Sequence, residues 1–220
     1  MLSLKECTRQ LIRSITLILL LAVMLCGQGF ANASNHPGQS QTLLPDGRWL
    51  ILGGEGERAS TVLIEDRRST PVVIEILNRR LHQPRGYHTA TVLADGQVFI
   101  FGGMDTSGQT LTAPELFDPL TKTFQRLNVF DLAPRAHHTA TLLTNGLLLL
   151  AGGKASDHEV LQTAQLWNWQ SGQVEPITPF LNTARFNHNA SLLPESPVLI
   201  SGGQDAYGET VVAYHASIIL

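Results

Sequence analysis

Cysteine is scarce in this chain. Its 220 residues contain two, Cys7 and Cys26, both near the start, so the remaining 194 hold no disulfide framework, thiolate zinc site or thiol nucleophile. Charge is sparse as well. Charged residues make up 15%, and 15 Lys and Arg stand against 18 Asp and Glu for a formal net charge of −3, without the basic footprint of a nucleic-acid binder. Four arginines, Arg67, Arg68, Arg79 and Arg80, fall at turns and lack the aromatic interleave of a nucleic-acid surface, so no nucleic-acid partner is expected. Long apolar runs are missing too. The longest, Ile15 to Cys26, covers 12 residues, short of the roughly 20 that a spanning helix needs.

That short run has a flanking context. Lys5, Arg9 and Arg13 precede it and the small-residue site Ala31-Asn32-Ala33 follows, which reads as an export signal over residues 1–33 cleaved after Ala33. A lipoprotein signal ending at Cys26 competes poorly, because Leu25 stands where a small residue belongs; an uncleaved membrane anchor is the other alternative. The expected product is a periplasmic or secreted chain of 187 residues with charge −5 and no membrane span.

The body of the chain repeats. Gly-Gly pairs stand at Gly53-Gly54, Gly102-Gly103, Gly152-Gly153 and Gly202-Gly203, at steps of 49, 50 and 50. Each closes an apolar run, and before three of the runs lies a hairpin turn, Asp46-Gly47, Asp95-Gly96 or Asn145-Gly146; the fourth uses Pro194 to Pro197. Upstream, Tyr87-His88-Thr89-Ala90-Thr91 matches His137-His138-Thr139-Ala140-Thr141 and Asn187-His188-Asn189-Ala190-Ser191, while the first copy keeps only Thr42-Leu43-Leu44. Downstream, Glu115-Leu116-Phe117-Asp118 corresponds to Gln165-Leu166-Trp167-Asn168. With no helical period in the body, each unit reads as four short strands, and such units in series are propeller blades. The fold class is all-β, with blades at about 39–83, 84–133, 134–183 and an incomplete 184–220.

These residues resemble the kelch family of propellers, over residues 36–220 and in the bacterial form whose repeat runs Arg-x-x-His-Thr-Ala-Thr, Asp-Gly, Gly-Gly, Tyr-Asp and Trp. Departures are local: Phe117 with Phe124 and Trp167 with Val174 stand for the Tyr and Trp pair, and the first copy lacks the Arg and His. The resemblance implies that each blade's first strand is innermost, so Arg85, Arg135, Arg185 and His88, His138, His188 either line the axis as binding groups or bond a neighbouring blade's backbone. It also implies one face made of the loops 55–60, 104–113, 154–163 and 204–209 together with the interblade loops 78–83, 128–133 and 178–183, a face that binds partners in relatives. Asp105, Lys154, Asp157, His158, Glu159, Asp205 and Tyr207 are its candidate polar groups.

Kelch-like relatives include enzymes. The copper oxidases cross-link a Tyr to a Cys, which a mature chain with Tyr87, Tyr207 and Tyr214 and no Cys cannot assemble. No metal or other cofactor is expected: His137 and His138 are adjacent, and successive strand residues point to opposite faces. Asn189-Ala190-Ser191 fits a glycosylation sequon by coincidence of strand composition. The expected role is a noncatalytic module for an unknown protein or glycan partner; the alternative is a fragment of a carbohydrate-active propeller enzyme of the sialic acid epimerase type, whose acid and base would come from the repeated Arg and His. The remaining 187 residues make roughly 3.7 blades, fewer than the 4 to 8 that close a ring. The expectation is therefore a truncated product, or one completed by another chain.

Overall fold

Short β-forming runs punctuated by Asp-Gly and Gly-Gly cannot continue as helix, and the chain folds back every four to five residues. The computed structural model describes residues 36–56, 62–66, 68, 73–77, 80–156, 159–177, 181–194, 197–211 and 215–218; the leader, Arg67, Arg79, Asp157 and His158 lie outside these. His36–Leu220 is one compact unit, and its described residues contain strands and turns without an α-helix.

Four antiparallel sheets follow one another along the chain. The first holds β1 (Gln39–Leu43), β2 (Trp49–Gly53), β3 (Val62–Asp66) and β4 (Val73–Ile76). The second holds β5 (Thr89–Val92), β6 (Val98–Phe101), β7 (Glu115–Asp118) and β8 (Thr123–Arg126). The third holds β9 (Thr139–Leu142), β10 (Leu148–Ala151), β13 (Ala164–Trp167) and β14 (Val174–Ile177). Between β10 and β13 a bulged hairpin of β11 (Lys154–Ser156) and β12 (Glu159–Val160) stands where the sequence reading has only a loop; Lys154 pairs with Val160, which satisfies backbone groups that a bare excursion would leave to water. The fourth sheet has three described strands, β15 (Asn189–Leu192), β16 (Pro197–Ser201) and β17 (His215–Ile218).

Registers repeat from sheet to sheet. Thr89 faces Phe101, Thr139 faces Ala151 and Asn189 faces Ser201, so equivalent side chains meet at every junction. The inner strands β1, β5, β9 and β15 lie neighbour to neighbour. This is a kelch-type propeller whose blades form an open row among the described residues.

The core sits between blades, not within them, because a single sheet has no second layer of its own. Leu50, Leu52, Val62 and Ile64 of the first blade pack on Val98, Ile100 and Phe117 of the second. Phe99 and Phe101 meet Leu148, Leu150 and Trp167 of the third, with the Phe99 and Trp167 ring centroids 4.2 Å apart. Leu149 and Ala151 meet Val198 and Ile200 of the fourth. Phe117 and Phe124 pair at 4.8 Å inside the second blade, filling the place of the family's Tyr and Trp pair. Arg68 reaches Asp66 at 2.9 Å and the Asp46 carbonyl at 2.7 Å, so this member of the basic turn group is bonded within its own blade.

Candidate functional site

Each inner strand begins, and each second strand ends, at the same end of its blade, so the Arg-x-x-His segments and the diglycines share one face. The Asp-Gly turns close the opposite end.

The three repeated arginines are fully buried. Arg85 donates from Nη1 to the Gly102 carbonyl at 3.2 Å and from Nη2 to Glu115 Oε1 at 2.8 Å and the Ala113 carbonyl at 3.1 Å. Arg135 repeats this on the Gly152 carbonyl at 3.0 Å and Gln165 Oε1 at 3.1 Å, and Arg185 on the Gly202 carbonyl at 3.1 Å. Desolvation lowers the pKa of Arg135 to about 10. Each arginine's own carbonyl also receives the N–H of the preceding blade's second glycine, Gly54, Gly103 or Gly153, at 3.1, 2.9 and 2.8 Å.

The repeated histidines are buried as well, at 6–7% exposure. His88 Nε2 bonds Ser40 Oγ at 2.8 Å, and His138 and His188 bond Thr89 and Thr139 Oγ1 at 3.0 Å, in every case the preceding blade's inner strand. Burial, and secondarily the nearby arginine, holds His88 down to about 3 and His188 to about 4, and pushes His138 far below its ordinary value. The six repeated Arg and His groups are thus committed to the framework: each guanidinium ties the lead-in to its own blade, while each arginine carbonyl and each imidazole ties it to the preceding blade.

The residue just before each histidine has a different fate. Tyr87, His137 and Asn187 have φ of 58°, 55° and 53°, a left-handed conformation that costs a residue with a Cβ on the order of 1–2 kcal/mol. The turn aims successive backbone groups across the junctions: Tyr87 N–H donates to the Gly38 carbonyl at 2.8 Å, His137 N–H to Tyr87 at 3.0 Å, and Asn187 N–H to His137 at 3.0 Å. Glycine serves the first blade at this position, Gly38 with φ 76°. The other three blades carry side chains there. The Tyr87 and His137 rings stack at 4.1 Å, and His137 Nδ1 lies 2.8 Å from Asn187 Oδ1. These three, with Gly38, Gln39 and the buried histidines beneath, line a shallow cavity of about 270 Å³.

The surroundings extend this arc. The Tyr87 hydroxyl donates to the Glu55 carboxylate, a bond that raises the tyrosine pKa to about 12, and both residues line a second cavity of about 330 Å³ with Met104, Asp105 and Thr106. Lys154 Nζ lies 3.9 Å above the Phe186 ring, whose edge meets His137. Asp105 and Asp205 sit in the expected loops, but their Oδ1 atoms take their own loops' N–H groups, of Ser107 and Gln109 and of Tyr207 and Glu209. Tyr207 is 90% exposed and Glu159 lies exposed in β12. Among the described residues no group of three or more His, Cys, Asp or Glu is arranged to hold a metal, and no helix is long and apolar enough to cross a membrane.

In the sequence Tyr87 and Asn187 carry no ligand signal of their own, and His137 reads only as a poor metal ligand. The signal was present: within an otherwise repeated Arg-x-x-His frame, the position before the His differs in every blade.

Blade architecture, interblade Arg and His bonds and the diglycine junctions define a kelch-repeat propeller module. A family model described as the Kelch motif matches residues 85–128, which span the second blade, and the other blades follow it in register. Among solved structures, the one titled "Structure of YjhT" superposes with a TM-score of 0.67 at 14% identity, covering 84% of this chain and 67% of that one, a likeness of fold. No curated protein sequence matches the chain.

Proposed function

We propose that this is an exported kelch-repeat module that binds a protein or glycan ligand, without turning it over, on the diglycine face of the propeller. One observation carries the reading: Tyr87, His137 and Asn187 occupy left-handed positions where Gly38 shows that glycine suffices, and their side chains meet as one stacked and hydrogen-bonded surface. Strain that the backbone does not require points to a role for the side chains. An aromatic and imidazole platform beside an amide offers stacking with hydrogen bonding, the combination that polar ligands with apolar faces use. The short basic leader ahead of Ala31-Asn32-Ala33 supports export.

Binding of the purified full chain to a glycan array and to candidate proteins in pull-down tests this. Loss of the captured ligand in His137→Ala, with an unchanged melting temperature, is the expected result. Sugar turnover observed by NMR would replace the reading with the carbohydrate-active alternative.

A further inference from the structure

Tyr87 is the wall shared by two cavities on the diglycine face. The larger of them, about 330 Å³, lies at the junction of the first two blades, and seven of its nine lining residues already have their N–H groups engaged inside the protein. Gly54, Glu55 and Tyr87 donate to the carbonyls of Arg85, Pro37 and Gly38 at 3.1, 3.0 and 2.8 Å. Gly86 and Met104 donate to each other's carbonyls at 2.9 and 2.8 Å, and the Asp105 and Gly108 N–H groups close their own loop on the Gln109 and Asp105 carbonyls at 2.9 and 3.1 Å. The Tyr87 hydroxyl is taken as well, by Glu55. Acceptors are left over. Among the described residues Glu55 accepts through Oε1 and Asp105 through Oδ1, so each carboxylate keeps its second oxygen, and neither has a Lys, Arg or His partner.

The repeat shows that this combination belongs to one junction. The position after the diglycine is Glu55, Met104, Lys154 and Gln204 in successive blades, and the next is Gly56, Asp105, Ala155 and Asp205. Backbone pairs fix the register, Met104 with Gly86, Lys154 with Ala136 and Gln204 with Phe186. Glu55 with Asp105 at the first junction therefore corresponds to Met104 with Ala155 at the second and to Lys154 with Asp205 at the third. The row is negative at its first junction and carries an ammonium at its third.

A cavity whose donors are engaged and whose acceptors are open suits a group that only donates. Ammonium and guanidinium are such groups, whereas a sugar hydroxyl brings lone pairs that find few free N–H groups here, and an anion meets two carboxylates. Tyr87 and Met104 offer apolar surface to a methylene stem, and an aromatic ring attracts a cation. We infer that this cavity takes a basic side chain, Lys or Arg, from a peptide segment of a protein partner, with its stem along Tyr87 and Met104 and its cation on Glu55 and Asp105. The inference rests on the diglycine face being the binding surface and narrows the ligand of that face to a protein. Lys154 sets the direction, since a segment laid the other way brings its cation against the ammonium of the third junction.

The test follows the amides of the full chain by NMR during titration with the capped peptide Gly-Ser-Lys-Ser-Gly and with the same peptide carrying norleucine or glutamate in place of lysine. The lysine peptide is expected to shift the Gly54, Gly86 and Asp105 amides and to bind about 10-fold more tightly than the norleucine form. Glu55→Gln should weaken it about 5-fold at an unchanged melting temperature, and Glu175→Gln, which alters an exposed carboxylate on β14, should leave it unaffected. Equal binding of the norleucine peptide overturns the inference, as does tighter binding of the glutamate peptide or of a glucosamine disaccharide, or an affinity that Glu55→Gln leaves unchanged. If Glu55→Gln lowers the melting temperature, the ranking of the three peptides on the unaltered chain decides. No shift of these amides at about 20 mM lysine peptide also overturns it. A captured ligand that still depends on His137 then leaves the reading of the face standing, and one that does not removes both.

Discussion

Acidification should unfold this protein well before its carboxylates titrate, because each of its three blade junctions is closed by a neutral imidazole. His88 and His188 are held at about 3 and about 4 by burial, against an unfolded value near 6.5. A folded-state pKa below the unfolded one means that the unfolded chain binds the extra proton, so stability is complete above about pH 6.5 and is lost as the pH falls toward the folded values. Between about pH 7.5 and pH 5 each of these histidines accounts for a loss of about 2 kcal/mol, from 1.36 kcal/mol per unit over the interval below 6.5. His138 acts in the same direction, as does His137, whose pKa burial also lowers. The total is a large share of the 5–15 kcal/mol typical of a domain. Urea unfolding at a series of pH values measures it directly, and His88→Gln should reduce the slope of stability against pH by one histidine's worth. Stability flat to within about 0.5 kcal/mol between pH 7.5 and 5 would refute the reasoning, for it would mean that the imidazoles are solvated or already charged in the fold.

Other perturbations separate the roles of particular side chains. Glu115→Ala leaves the Arg85 guanidinium buried without its carboxylate and also removes the acceptor of the His82 and Gln83 N–H groups, so a loss of about 3–5 kcal/mol is expected in chemical denaturation. Trp167→Ala opens a hole against Phe99 and should cost about 3–5 kcal/mol, whereas Trp167→Phe, which removes an indole N–H that bonds no described residue, should cost under about 1.5 kcal/mol by the same assay. Gly152→Ala drives a Cβ into the Arg185 carbonyl and the His188 ring, and a fall in melting temperature of several degrees more than for Gly108→Ala, where that space is open, is the expected readout. His138→Ala and His137→Ala should part company: the first lowers stability, while the second leaves it near the starting value and changes ligand binding.

The architecture was legible in the sequence because it is written four times, and repetition makes weak local signals strong. Gly-Gly, Asp-Gly and His-Thr-Ala-Thr each mark a strand end, and their common period implies that strands of different blades must meet in register. The first blade forms β1 and β2 without the Arg and His because Thr42-Leu43-Leu44 and the Asp46-Gly47 turn retain the hairpin. The β11 and β12 hairpin was not legible, since Lys154-Ala155-Ser156 has no strong strand preference and pairs through its backbone. The site was legible only in outline. Identity across blades singles out Arg85, His88 and their kin, whose repetition reflects a framework common to the second, third and fourth blades, whereas what differs between blades is what can recognise a ligand. Asp105 and Asp205 have the exposed acidic look of binding groups, but a carboxylate two and four residues from free N–H groups bonds its own loop first.

The string of backbone bonds from Gly38 through Tyr87 and His137 to Asn187 has a consequence for how such a molecule changes. Each link uses only a main-chain N–H and C=O, so the residue at that point can be exchanged without cutting the tie between neighbours. The inner rim is thereby a modular alphabet, one letter per blade, whose spelling can drift toward new specificities while the girdle beneath it stays the same.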